Sequence, residues 1–130
     1  MALKLHFRLS NLYLYNMTKY IILVREPDGR ADQPTEEQQK THRANWNKWF
    51  EKYGKAGNFL GGSALSLNGK MIKGPEAMIV DDIHKVDTEI IGGYLLIQAS
   101  DLDSAVDIAR EIPVFEVDGY LEVRELMVTD

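Results

Sequence analysis

The chain has 130 residues, 45% of them hydrophobic and 27% charged, with a net charge of −5 and no cysteine. That length bounds one domain, able to bury roughly two-thirds of the unfolded chain's surface, and the mixed composition is that of a globular chain. An acidic balance leaves no basic footprint for nucleic acid, while the lack of cysteine excludes disulfides and thiolate metal sites and is compatible with a reducing, cytoplasmic setting.

The opening MALKLHFRLSNLYLYN (1–16) alternates Leu3, Leu5, Phe7 and Leu9 with Lys4, His6 and Arg8. Charges at that period break up any apolar core suited to a signal peptide or a membrane span. We read 1–16 as an extension outside the compact domain, which begins at Met17 and runs to 130. KYIILV (19–24) has the β-branched character of a strand, and EPDGRADQP (26–34) the Pro, Gly and Asp of a loop. Thr35 with Gln38 predicts a capping box and a helix to about Gly54, carrying the stripe Trp46, Trp49, Phe50 and Tyr53. His42 lies one turn before Trp46 on the same face.

Phe59 to Leu67 is expected to be a second strand. Turn signals at Asn68-Gly69 and Gly74-Pro75 then frame a hairpin arm of Lys70–Lys73 and Ala77–Val80. GGYLLIQA (92–99) is a buried strand. Ser100 with Asp103 predicts a second capping box, opening a helix that packs Leu102, Ala105, Val106 and Ala109 inward and stops at Pro113. YLEVRELMV (120–128) closes the chain. Strand, helix, strand, hairpin, strand, helix, strand is the split βαβ order of a ferredoxin-like α+β domain, with two helices on one face of an antiparallel sheet. The other, uncovered apolar face predicts a homodimer.

At GGYLLIQASDLDSAVDIAREIP and the closing DGYLEVREL, the chain resembles the YCII-related family, and within it the DGPF branch. The residues that carry this are Gly92, Gly93, Tyr94, Asp101, Leu102, Asp103, Ala105, Glu122, Val123 and Arg124, with YIILVRE and Gly61–Leu65 upstream; together they span about 19–128. The resemblance implies a dimeric α+β barrel with a cleft beside the helices of each protomer. It also implies a histidine–aspartate pair in that cleft, interpreted in the family as an active site, with biochemical roles mostly unassigned. Asp81 falls on the first position of the branch's Asp-Gly-Pro-Phe signature, but Asp82, Ile83 and His84 replace the rest. Trp46 stands nearest the family's helix-histidine position, and His42 is one turn earlier.

The candidate chemistry is therefore an acid–base pair of Asp81 with His42 or His84, able to abstract a proton next to a carbonyl. Asp81 also reads as a turn residue capping local backbone, and His42 as a packed residue of the aromatic face. Asp81, Asp82 and His84 offer O and N atoms to a divalent cation, but three neighbours in one turn rarely converge on an ion unaided, and no metal is expected. Arg124 is a candidate for holding a negative group, with Trp46 and Tyr94 as pocket residues. No dinucleotide or phosphate-loop fingerprint is present, and no cofactor is expected. The reading is an isomerase or lyase acting on a small oxygenated organic molecule, against a non-catalytic small-molecule-binding or structural dimer module.

Overall fold

The computed structural model describes residues 17–29 and 34–128. The alternating segment 1–16, and with it the extension inferred there, lies outside the described residues, as do positions 30–33 of the first loop. The elements are β1 (Thr18–Pro27), α1 (Glu36–Lys55), β2 (Phe59–Ala64), β3 (Met71–Lys73), β4 (Met78–Val80), β5 (Glu89–Ala99), α2 (Leu102–Ala109), a 3-10 turn (Pro113–Val117) and β6 (Tyr120–Glu125).

β1, β2, β5 and β6 form one antiparallel sheet in the order β2-β5-β1-β6. This is the ferredoxin-like arrangement, an α+β domain with both helices on one face. β3 and β4 pair only with each other, as a separate two-stranded arm. Among the described residues no helix is long and apolar enough to cross a membrane.

Period-two alternation sends Tyr20, Ile22 and Val24 of β1, and Leu95, Ile97 and Ala99 of β5, into the core beneath the helices. Leu121 and Val123 of β6 pack against the same core. The residues between them, Ile21, Leu23, Tyr94 and Leu96, are half-buried on the side that bears no helix. β1 is thus buried on one face.

The box at Thr35 forms as expected: Thr35 Oγ1 accepts the Gln38 N–H at 3.1 Å, and Gln38 Oε1 accepts the Thr35 N–H at 2.9 Å. Glu36 and Glu37 in the first turn and Lys52 and Lys55 in the last complement the helix dipole. Trp49 is buried and donates its indole N–H to the Ile108 carbonyl at 3.0 Å, tying α1 to α2. Trp46, Phe50, Tyr53 and Phe59 surround it as half-buried rings.

The second cap differs from expectation. Asp101, not Ser100, is the N-cap, its Oδ1 accepting the Ser104 N–H at 2.8 Å. Asp and Ser cap about equally well, and the helix begins at Leu102, which puts Asp101 at the capping position. The inward face is accordingly Ala105, Ile108 and Ala109, while Leu102 and Val106 are exposed. Strand ends move too: β2 stops at Ala64 and β6 at Glu125, whereas β1 runs to Pro27 and β5 begins at Glu89.

The early start of β5 depends on a β-bulge. Val24 pairs with Gly93 but Arg25 pairs with Ile91, so Gly92 is an extra residue in β5. One inserted residue reverses the parity of the strand, which is why both Ile90 and Leu95 are buried.

Candidate active site

A cleft of about 390 Å³ opens where the bulge of β5, the end of β1 and one side of α1 meet. Its apolar wall includes Val24, Trp46, Phe50 and Leu95, and its polar side chains include Glu26, His42, Arg43 and Asn47. Gly62, Gly92 and Gly93 form part of the remaining wall.

Glu26 reaches the cleft by simple alternation. It continues the row Tyr20, Ile22, Val24 at period two, so its carboxylate follows three core side chains onto the helix side. It is half-buried, and burial pushes its carboxyl above the usual range, opposed by the charge that His42 can carry. Among the described residues it makes no hydrogen bond. The missing side chain at Gly92 gives it room, since a Cβ there would collide with the Glu26 carboxylate.

His42 is held at both nitrogens. Nδ1 lies 2.9 Å from Glu116 Oε2, and the Trp46 indole N–H points at Nε2 from 3.1 Å. The indole donor meets a lone pair at Nε2, which leaves Nδ1 as the ring atom that donates to Glu116. Asn45 donates to the other Glu116 oxygen at 2.6 Å. The hydrogen bond from His42 holds the Glu116 carboxyl below its usual range; burial opposes it, and the Asn45 hydrogen bond adds to the lowering. The 3-10 turn that carries Glu116 thereby fixes the imidazole of α1.

The other expected site residues are dispersed. Asp81 is not among the residues lining the cleft: it follows β4, 83% exposed, in a 2.9 Å ion pair with Lys70 across the arm. His84 lines a separate hollow of about 350 Å³ with Arg25 and Glu89. Asp82 turns back to cap the Ile83 N–H at 2.8 Å. Among the described residues no group of three His, Asp or Glu side chains is placed to hold a metal ion.

Trp46 and Tyr94 are both among the residues that line the cleft. Tyr94 alternates with Gly93 and Leu95, however, and pairs with Leu23 on the helix-free face, so it meets the cleft through its backbone. Arg124 lies opposite Ile21 on that same face, away from the cleft, and Glu122 bonds Arg25 at 3.0 Å. The polar cleft-lining side chains that the sequence does not single out include Glu26, Arg43 and Asn47. The phase of Glu26 relative to YIILV is the signal that could have found the first.

A four-stranded ferredoxin-like sheet with a half-open acid- and histidine-lined cleft beside its first helix defines the class of protein. The chain belongs to the YCII-related domain family, whose sequence pattern matches residues 18–129. No curated protein matches the chain closely enough to lend it a function.

Proposed function

We propose that the cleft carries out acid–base chemistry on a small oxygenated organic molecule, as an isomerase or lyase, with Glu26 as the proton-transfer group. The observation that supports this most is a half-buried carboxylate with no hydrogen-bond partner among the described residues, facing a cavity beside a histidine. Desolvation that raises a carboxyl's pKa makes its carboxylate a stronger base. Glu26 takes a proton from the carbon between a carbonyl and a carbon–carbon double bond, giving a dienolate, and returning that proton to the far end of the double bond completes an isomerisation. Where the β carbon instead bears a leaving group, the enolate expels it with its bonding electron pair. The group departs as the anion or takes the proton held by Glu26, which completes an elimination. His42, locked by Glu116 and Trp46, sets the electrostatic surroundings of Glu26 as a positioning residue. In this reading the acid's role passes from Asp81 to Glu26.

The reading is tested by following deuterium incorporation from D₂O into a panel of small ketones, oxo acids and lactones by NMR. Exchange catalysed by the wild-type chain and lost in Glu26→Gln supports it. Equal exchange in both overturns it. A non-catalytic binding module is the second reading, favoured by the fact that both His42 nitrogens are already occupied. Saturable binding in the cleft without exchange of any bound compound would select it.

We also infer a homodimer joined through the helix-free sheet face, a place in the DGPF branch, and a cytoplasmic setting. The half-exposed Ile21, Leu23, Tyr94 and Leu96 support the first, the Gly92–Arg124 motif set the second and the cysteine-free composition the third. A monomer by light scattering at micromolar concentration would overturn the dimer.

A further inference from the structure

We propose that Arg43 and Asn47 form a carboxylate-binding pair at the rim of the Glu26 cleft, so that the molecules handled there are small organic monoacids. The inference rests on the acid–base reading above and names its substrate class.

Arg43 and Asn47 are four residues apart on α1, which places them as neighbours along one side of the helix, and both line the cleft. Among the described residues neither makes a hydrogen bond or an ion pair. Of the other cations that line hollows, Arg25 bonds Glu122 at 3.0 Å and Lys70 bonds Asp81 at 2.9 Å, while Lys48, in a hollow without the apolar wall of this cleft, has no partner among the described residues. A planar guanidinium presents two parallel N–H groups that match a carboxylate, and the Asn amide adds a donor beside them. Val24, Phe50 and Leu95 supply apolar wall for the carbon skeleton. The volume of about 390 Å³ is at the small end for ligand pockets, which run from roughly 300 to 1,000 Å³.

Charge also sets a limit. Glu26 is the acidic side chain lining the same cleft, so a second carboxylate on the ligand would meet a like charge. Monoacids are therefore favoured over diacids, by repulsion as much as by attraction.

The test is an NMR titration of the ¹⁵N-labelled chain with benzoate, with its uncharged analogue benzamide, and with the diacid phthalate. Benzoate is expected to shift the amide signals of Gly92 and Gly93 and the Trp46 indole signal, more tightly than benzamide or phthalate. Arg43→Gln should weaken benzoate about tenfold, the scale of a lost charge-assisted bidentate contact, and leave benzamide unchanged. Arg43 is exposed, and the same spectra report whether the variant folds. Benzoate binding equally to Arg43→Gln, benzamide matching benzoate, or no cleft signal moving with benzoate, 4-oxopentanoate or cyclohexanecarboxylate would overturn the pair's role. Glu26→Gln separates the two readings. Arg43-dependent benzoate binding, together with exchange that Glu26→Gln does not affect, removes the acid–base reading and leaves the carboxylate site standing.

Discussion

Replacing Gly92 by alanine should disarm the cleft without weakening the fold. The added Cβ would meet Oε1, Cδ and Cγ of Glu26, the far end of a flexible side chain, rather than backbone. Gly92 is not held at the positive φ that strains an L residue, so alanine fits the bulge once Glu26 swings aside. Moving that carboxylate relieves its burial, and an alanine in place of glycine removes freedom from the unfolded chain, worth about 0.4–1 kcal/mol in favour of folding. Net stability should therefore change by less than about 1 kcal/mol. The carboxyl carbon of Glu26, followed by ¹³C NMR, should titrate above the usual glutamate range in the wild type and return toward it in Gly92→Ala. Gly62→Ala is the contrasting control. Its Cβ would strike the Tyr94 carbonyl oxygen, and its φ of +157° suits glycine, so a loss of about 1–3 kcal/mol is expected. A Gly92→Ala variant that loses more than about 2 kcal/mol, or that leaves the Glu26 titration unmoved, would refute the argument that this glycine makes room for the acid.

Glu26→Gln should stabilise the chain at neutral pH. Its folded-state pKa is raised, so the native state binds the extra proton and stability falls as pH rises from the ordinary glutamate range through the raised value; Gln removes that fall, which urea titrations at several pH values would show. Trp49→Phe removes the indole N–H that reaches the Ile108 carbonyl at 3.0 Å, leaving that carbonyl only backbone donors such as the Glu111 N–H at 3.4 Å, and with the lost ring volume should cost about 1–3 kcal/mol in the same assay. A chain beginning at Met17 should remain folded by far-UV circular dichroism, since β1 starts at Thr18; an unfolded product would place the domain boundary earlier.

Local patterns carried most of the fold. The Thr35–Gln38 box, the aromatic stripe of α1 and the apolar runs in β1 and β5 each state their own structure through neighbours in sequence. Glu26 was hidden because EPDG reads as a turn, whereas pairing of Pro27 with Glu89 carries the strand onward. That extension needs the register change at Gly92, a long-range feature visible only once two strands are aligned. Asp81 lies away from the cleft for a reason that is also long-range. It falls on the first position of the branch signature, but the arm that carries it pairs only with itself and leaves the carboxylate to Lys70 in solvent. Likewise Ser100 and Asp101 are both competent caps in sequence, and only the helix start distinguishes them.

The most direct measurement is a side-by-side deuterium-exchange assay of the wild-type chain, Glu26→Gln and Asp81→Asn on the same panel of small carbonyl compounds. If Glu26 is the cleft's proton-transfer group, Asp81→Asn exchanges at the wild-type rate, and Glu26→Gln falls by about two orders of magnitude or more, the usual worth of a positioned acid–base group. Exchange that survives in Glu26→Gln and disappears in Asp81→Asn would contradict it.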